Sequence, residues 1–195
     1  MKKQGCLIVL LSGFTLLGGC YSELWTGATM VYDRHNVYKK MDDYQLGAEA
    51  GHALYDDLLF KQQGCSIDLA VFNGDILLAG HVPTDELRHE ALRRVSALRG
   101  YRRVINQLDL SKEPSSTIED SWITAKIRSQ IFADAEIDPR AFKVITSDHI
   151  VYLMGDVKPR QALRVIDIAR NTEGVDRVVK LFKYYHLSQH AVADS

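Results

Sequence analysis

No apolar run in this chain approaches the roughly 20 residues that a membrane-crossing helix needs. The run from Leu7 to Leu17 is broken by Gly13 and ended by Gly18 and Gly19. Cysteine is scarce: Cys6, Cys20 and Cys65 are too few for a disulfide-stapled scaffold, and no two of them stand at the spacing of a zinc site. Neither sign of charge dominates, since 24 Lys and Arg face 25 Asp and Glu, so the basic footprint of a nucleic-acid-binding protein is missing. A Gly-rich phosphate loop and a Gly-x-Ser-x-Gly nucleophile elbow are missing too, which removes two signatures of hydrolytic enzymes. What is present is the composition of a folded protein, 46% apolar and 25% charged.

The first residues read as a leader. Lys2 and Lys3 give a positive start, Leu7 to Leu17 a short apolar core, and Leu17-Gly18-Gly19-Cys20 an end where small residues precede a cysteine. That ending lets the Cys20 thiol receive diacylglycerol before a peptidase cuts ahead of it. Residues 1–19 are therefore expected to be removed, leaving a mature chain lipidated at Cys20. Acyl chains bury roughly 0.8 kcal/mol per methylene, so one chain holds marginally and two or three hold firmly. Tyr21 stands where an Asp would favour retention in the inner membrane of a Gram-negative cell, which points to the outer membrane. Residues 20–42 then form a lipidated linker, spanning about 70 Å if extended. Cys6 leaves with the leader, so Cys65 remains as an unpaired thiol, either buried or bridging two chains.

A repeat organises the rest. Ile67 to Phe72, Asn73-Gly74-Asp75 and Ile76 to Val82 read as two strands around a tight turn, and Phe142 to Thr146, Ser147-Asp148-His149 and Ile150 to Val157 read the same way. Gly80 answers Gly155, and Val82 answers Val157. Pro83 and Pro159 then open helices with apolar stripes at Leu87, Ala91, Leu92, Val95 and Leu98 and at Ala162, Leu163, Val165, Ile166 and Ala169. Gly100 and Gly174 stop these helices, and final strands follow at Val104 to Leu110 and Val178 to Tyr184. Upstream of each hairpin lies a further helix, Tyr44 to Phe60 and Ile118 to Phe132. Gly47, Gly51, Asp56 and Asp57 set the first of these apart and predict a shorter or looser helix there.

The expected fold class is α+β: two tandem units at 43–113 and 117–187, then a tail at 188–195. Each unit runs helix-strand-strand-helix-strand, with two helices packed on one face of a three-stranded mixed sheet. The segment around Pro114-Ser115-Ser116 links them. A unit of about 70 residues holds a small core, so the two copies are expected to lean on each other.

Two such units behind a lipid-attachment cysteine resemble the dual BON-domain lipoproteins of the proteobacterial outer membrane. The stretch from Asp120 to Ile131 is especially similar to the opening helix of the second BON unit in the division- and outer-membrane-stress-associated lipid-binding lipoproteins of that family. Val157, Arg160 and Ala162, Gly174-Val175 with Arg177-Val178, and the Gly155 hairpin extend the likeness over nearly all of the mature chain.

On a helix, where residues advance by about 100° each, Ile123, Ile127 and Ile131 share the core face. Trp122, Ala125, Ser129, Phe132 and Ala133 fall on a neighbouring arc, with Lys126 beside them and Arg128 toward the far side. Asp120 or Ser121 can cap the start. From the residues alone, Trp122 suits either a membrane interface, where its ring is buried and its indole nitrogen stays wet, or the contact between the two units. The resemblance implies the former: binding of anionic phospholipid, phosphatidylglycerol or cardiolipin, through this helix, with an action in envelope integrity and at the division site. Charge agrees in sign, because residues 43–113 carry eight basic and eleven acidic residues and 115–187 carry eleven and ten.

Seven histidines raise the question of a metal, but His186 and His190 share helical spacing in a tail without a nearby Cys or acid cluster. His81 and His89 are expected on the surface. No carboxylate pair is singled out as a general acid and base, so neither catalysis nor a cofactor is expected. The alternative function is a periplasmic adapter, with Trp122 and Phe132 contacting another envelope protein or peptidoglycan-associated machinery.

Overall fold

The computed structural model describes residues 28–110 and 116–185. Cys20, the leader and the tail at 188–195 lie outside the described residues. The first domain comprises α1 (Ala28–Tyr55), β1 (Ser66–Phe72), β2 (Asp75–His81), α2 (Asp85–Ser96) and β3 (Arg103–Asp109). The second repeats the order with α3 (Thr117–Ala133), β4 (Phe142–Ser147), β5 (Ile150–Val157), α4 (Pro159–Arg170) and β6 (Arg177–Tyr184). In each, an antiparallel hairpin is extended by a parallel third strand, giving sheet orders β1-β2-β3 and β4-β5-β6. This is the mixed sheet that the sequence predicts: the helix after the second strand crosses over and returns the chain in the same direction.

Two expectations about the first helix need correction. It begins at Ala28, inside the segment 20–42 expected as the lipidated linker, and at 28 residues it is longer, not shorter, than the 17-residue α3; it ends at Tyr55, with Leu58–Phe60 forming a separate 3-10 turn. Helical residues advance about 1.5 Å each, so residues 28–42 reach less far than an extended tether. Gly47 and Gly51 lie within the helix rather than ending it.

Alternation along the strands sets the layers. Ile76 and Leu78 of β2 face α1 and α2 in a core with Leu54, Leu87, Ala91 and Val95. Val151 and Leu153 of β5 face α3 and α4, with Ile123, Ile127, Ala162 and Val165. The intervening residues, Leu77 and Ala79 in one domain and Tyr152 and Met154 in the other, meet in a third cluster where the two sheets press together. Both faces of the central strands are thus buried, as two small units leaning on each other require. Leu163 departs from its predicted stripe and is 63% exposed, because Ala162, Val165, Ile166 and Ala169 already fill the core face of α4.

The sheets meet head to tail. Near the first hairpin turn, Asp75 accepts bonds from Arg102 Nε (2.6 Å) and Arg103 Nε (2.8 Å), Arg102 also reaches Asp156, and Arg103 Nη2 donates to the Leu181 carbonyl (3.2 Å). At the other end, His81 Nδ1 lies 2.7 Å from Asp148 Oδ2 and Ser147 Oγ donates to Asp68. His81, expected on the surface, is 1% exposed because the turn of the second domain covers it. The matched glycines also have a reason. A Cβ on Gly80 would stand 2.2 Å from the Ser66 carbonyl oxygen, and one on Gly155 would stand 2.6 Å from that of Ala141.

Candidate functional site

Apolar residues lie on two faces of α3. Ile123, Ile127 and Ile131 recur every four residues and enter the core of the second domain. Directly opposite, and not on the neighbouring arc expected from the sequence, runs a second stripe, Ile118, Trp122, Ala125, Ser129, Phe132 and Ala133, and every one of these residues is exposed. Ile118 is 81% exposed, Trp122 65% and Phe132 79%, values far from those of core residues. Trp122 therefore does not fill the contact between the domains, which Leu77, Ala79, Tyr152 and Met154 occupy instead.

The basic residues flank this stripe on both sides, Arg128 no farther from it than Lys126, each about 100° around the helix from the core-facing Ile127. Lys126 lies on the α4 side, where its Nζ is 3.4 Å from Glu173 Oε2, so part of its charge is answered within the protein. Arg128 lies on the β4 side and is exposed. Ser129 turns its hydroxyl back to the Lys126 carbonyl (2.8 Å), which satisfies its donor and leaves little polar demand on the outer face. Such a surface can enter an apolar layer with cations at its edges. Ser147, the hydroxyl nearest the buried His81–Asp148 pair in sequence, bonds to Asp68 instead. Among the described residues no cluster of His, Cys, Asp and Glu is arranged to hold a metal ion.

Sequence reasoning missed Ile118, although its place four residues before Trp122 was the available signal. It also misassigned Asp120. Ser116 occupies the N-cap of α3, while the buried Asp120 carboxylate reaches across to the hairpin and accepts the N–H groups of Asp148 (3.0 Å) and His149 (2.9 Å). Cys65 is half-buried, and burial pushes its thiol pKa up.

Residues 48–112 and 119–184 each match the family model of the BON domain. The chain is 30% identical over 184 residues to outer membrane lipoprotein DolP of Haemophilus influenzae, covering 91% of this chain and 95% of the relative. It is 29% identical over 158 residues to the 21 kDa hemolysin of Actinobacillus pleuropneumoniae, covering 80% and 81%. Against osmotically-inducible protein Y of Escherichia coli the identity is 26% over 186 residues, covering 88% and 90%. Each of the matched stretches coincides with one helix-covered sheet of the fold, and the chain belongs to the BON-domain family, of which it carries two copies.

Proposed function

We propose that this protein is an outer-membrane lipoprotein, acylated at Cys20 and facing the periplasm, that binds anionic phospholipid through the outward face of α3 and so helps maintain the envelope. The observation that carries this reading is the exposure of Ile118, Trp122 and Phe132 along one face, between Lys126 and Arg128. The likeness to a relative named as an outer membrane lipoprotein supports the address. Action at the division site rests on the family resemblance alone.

Burying one large apolar side chain contributes roughly 1.5 to 3 kcal/mol, and a basic residue near an anionic surface adds about 1. Trp122 with two cations thus supplies about 3.5 to 5 kcal/mol, a dissociation constant of roughly 0.2 to 3 mM. A lipid tether raises the local concentration to roughly that level, so weak contacts suffice to set orientation and lipid preference.

Flotation with vesicles tests the proposal. The three apolar clusters draw every member from residues 46–182, so a mature-length chain, residues 20–195 with Cys20→Ser, keeps them all. It should float with vesicles rich in phosphatidylglycerol, and Trp122→Glu should weaken this. Equal flotation with purely phosphatidylcholine vesicles would overturn it, and so would capture by envelope proteins without any lipid binding.

A further inference from the structure

A groove of about 400 Å³ opens beside the outward stripe of α3, at the low end of the range for small-molecule sites. Both domains build it. Phe72, at the end of β1, comes from the first domain, while Phe132, Pro139, Phe142, Arg128 and Lys143 come from the second. The rings give it an apolar wall, and the two cations share that wall without a carboxylate within ion-pair distance among the described residues.

Lys143 is the more telling of the two. Its Nζ is half-buried and donates to the Val71 carbonyl of the first domain (3.0 Å). Burial pulls its pKa below the ordinary lysine value, the charge of Asp43 acts the other way, and that of Arg128 adds to the fall. An ammonium partly withdrawn from water, with a neutral carbonyl as its hydrogen-bond acceptor and only the charge of Asp43, beyond ion-pair distance, set against that of Arg128, keeps capacity for a further anion. A monoanion in the groove would answer both charges. Phe132 belongs to the groove and to the outward stripe alike, so an occupant would be continuous with whatever apolar layer the stripe enters.

We propose that the groove receives the phosphodiester headgroup of a single anionic phospholipid, its charge answered by Arg128 and Lys143 and the start of its chain lying along Phe72, Phe132 and Phe142. The proposal rests on the lipid-binding reading of α3 and adds the first domain to the lipid site: Phe72 supplies a wall and the Val71 carbonyl holds Lys143 in place. A zwitterionic headgroup brings its own cation to two fixed ones and is disfavoured.

An NMR titration of the mature-length Cys20→Ser chain with three probes decides the matter: phosphatidylglycerol micelles, phosphocholine micelles and soluble glycerol phosphate. The first should shift the amides of Phe72, Lys143 and Val144 together with those of α3. Lys143→Gln keeps a donor for the Val71 carbonyl and should weaken phosphatidylglycerol binding about fivefold, with Phe72→Ala also weakening it. Shifts confined to α3, with Lys143→Gln and Phe72→Ala binding as the native chain does, would overturn the groove and leave the α3 reading standing. Absence of shifts on α3 itself would overturn both. Glycerol phosphate binding as tightly as the micelles would make this a site for a soluble phosphate, and equal binding of phosphocholine would remove charge selection; either overturns the proposal.

Discussion

Asp43 and Asp120 do the same work in the two domains. Asp43, on α1, accepts the N–H groups of Asn73 (2.6 Å) and Gly74 (2.7 Å), and Asp120, on α3, accepts those of Asp148 (3.0 Å) and His149 (2.9 Å). All four recipients of this clasp are turn residues with positive φ, from 49° at Asn73 to 78° at Gly74. Only the first turn has the Asn-Gly pair that prefers this geometry; the second places Asp and His there, at a conformational cost. The carboxylate offsets that cost and ties each opening helix to its hairpin.

Asp120→Ala should therefore destabilise the protein by about 2 to 3 kcal/mol, since it removes two charge-assisted bonds from half-buried N–H groups. Urea unfolding followed by circular dichroism would read this as a lower midpoint at unchanged slope. An unchanged midpoint would show that the turn holds itself.

The other end of the sheet contact depends on Asp75, a buried carboxylate between two guanidinium groups. Burial pushes its pKa up, but the bonds and charges of Arg102 and Arg103 outweigh that and hold it below the usual range. Asp75→Ala should cost about 2 to 3 kcal/mol, under the range for a fully buried pair because water reaches both arginines. The depressed pKa means that this contribution is present above the ordinary Asp value and is lost as pH falls through the folded one. Acid titration of the native chain and the variant, followed by melting temperature, should show the two converging at low pH.

Much of this architecture was legible from the residues, and the failures share one cause. The hairpins, the crossover helices and the Gly80–Gly155 correspondence follow from local spacing, because a glycine under a neighbouring carbonyl and a period-two strand leave direct marks on sequence. His81 was misplaced because its burial comes from the turn of the other domain, which no local pattern reveals. Lys143 escaped notice for the same reason, its acceptor being Val71 of the first domain. The outward stripe was half legible: its spacing around Trp122 could be read, but its exposure depended on where the second sheet packs.

Asp68 gives a pH dependence of the opposite sign. Burial raises its pKa, the bond from Ser147 opposes this, and the charges of Asp120 and Asp148 add to the rise. A carboxyl whose folded pKa is raised binds its proton more tightly in the native chain, so the stabilisation is complete below the unfolded value near 3.9 and is lost as pH rises through the folded one. Asp68→Asn, neutral at every pH and still able to bond Ser147, should melt higher than the native chain at pH 7 and lose that lead by pH 4. A variant that melts lower at pH 7 would show that the charge is wanted at this junction.

The outward face of α3 makes a prediction in which stability and binding part company. Ile118 and Trp122 each expose well over half of their surface and touch neither core cluster, so replacing either with glutamate should change unfolding free energy by no more than about 0.5 kcal/mol. In contrast, Ile123→Glu on the opposite face would bury a charge among Ile127, Val151 and Ala169 and should unfold the second domain. If the outward stripe meets lipid, Ile118→Glu and Trp122→Glu should both reduce flotation with phosphatidylglycerol vesicles at native melting temperature. Ile118 is the sharper test, because it is not among the residues that the family resemblance implies for lipid binding: full flotation of Ile118→Glu would confine the contact to the ring of Trp122, and a face-wide insertion would have to be abandoned.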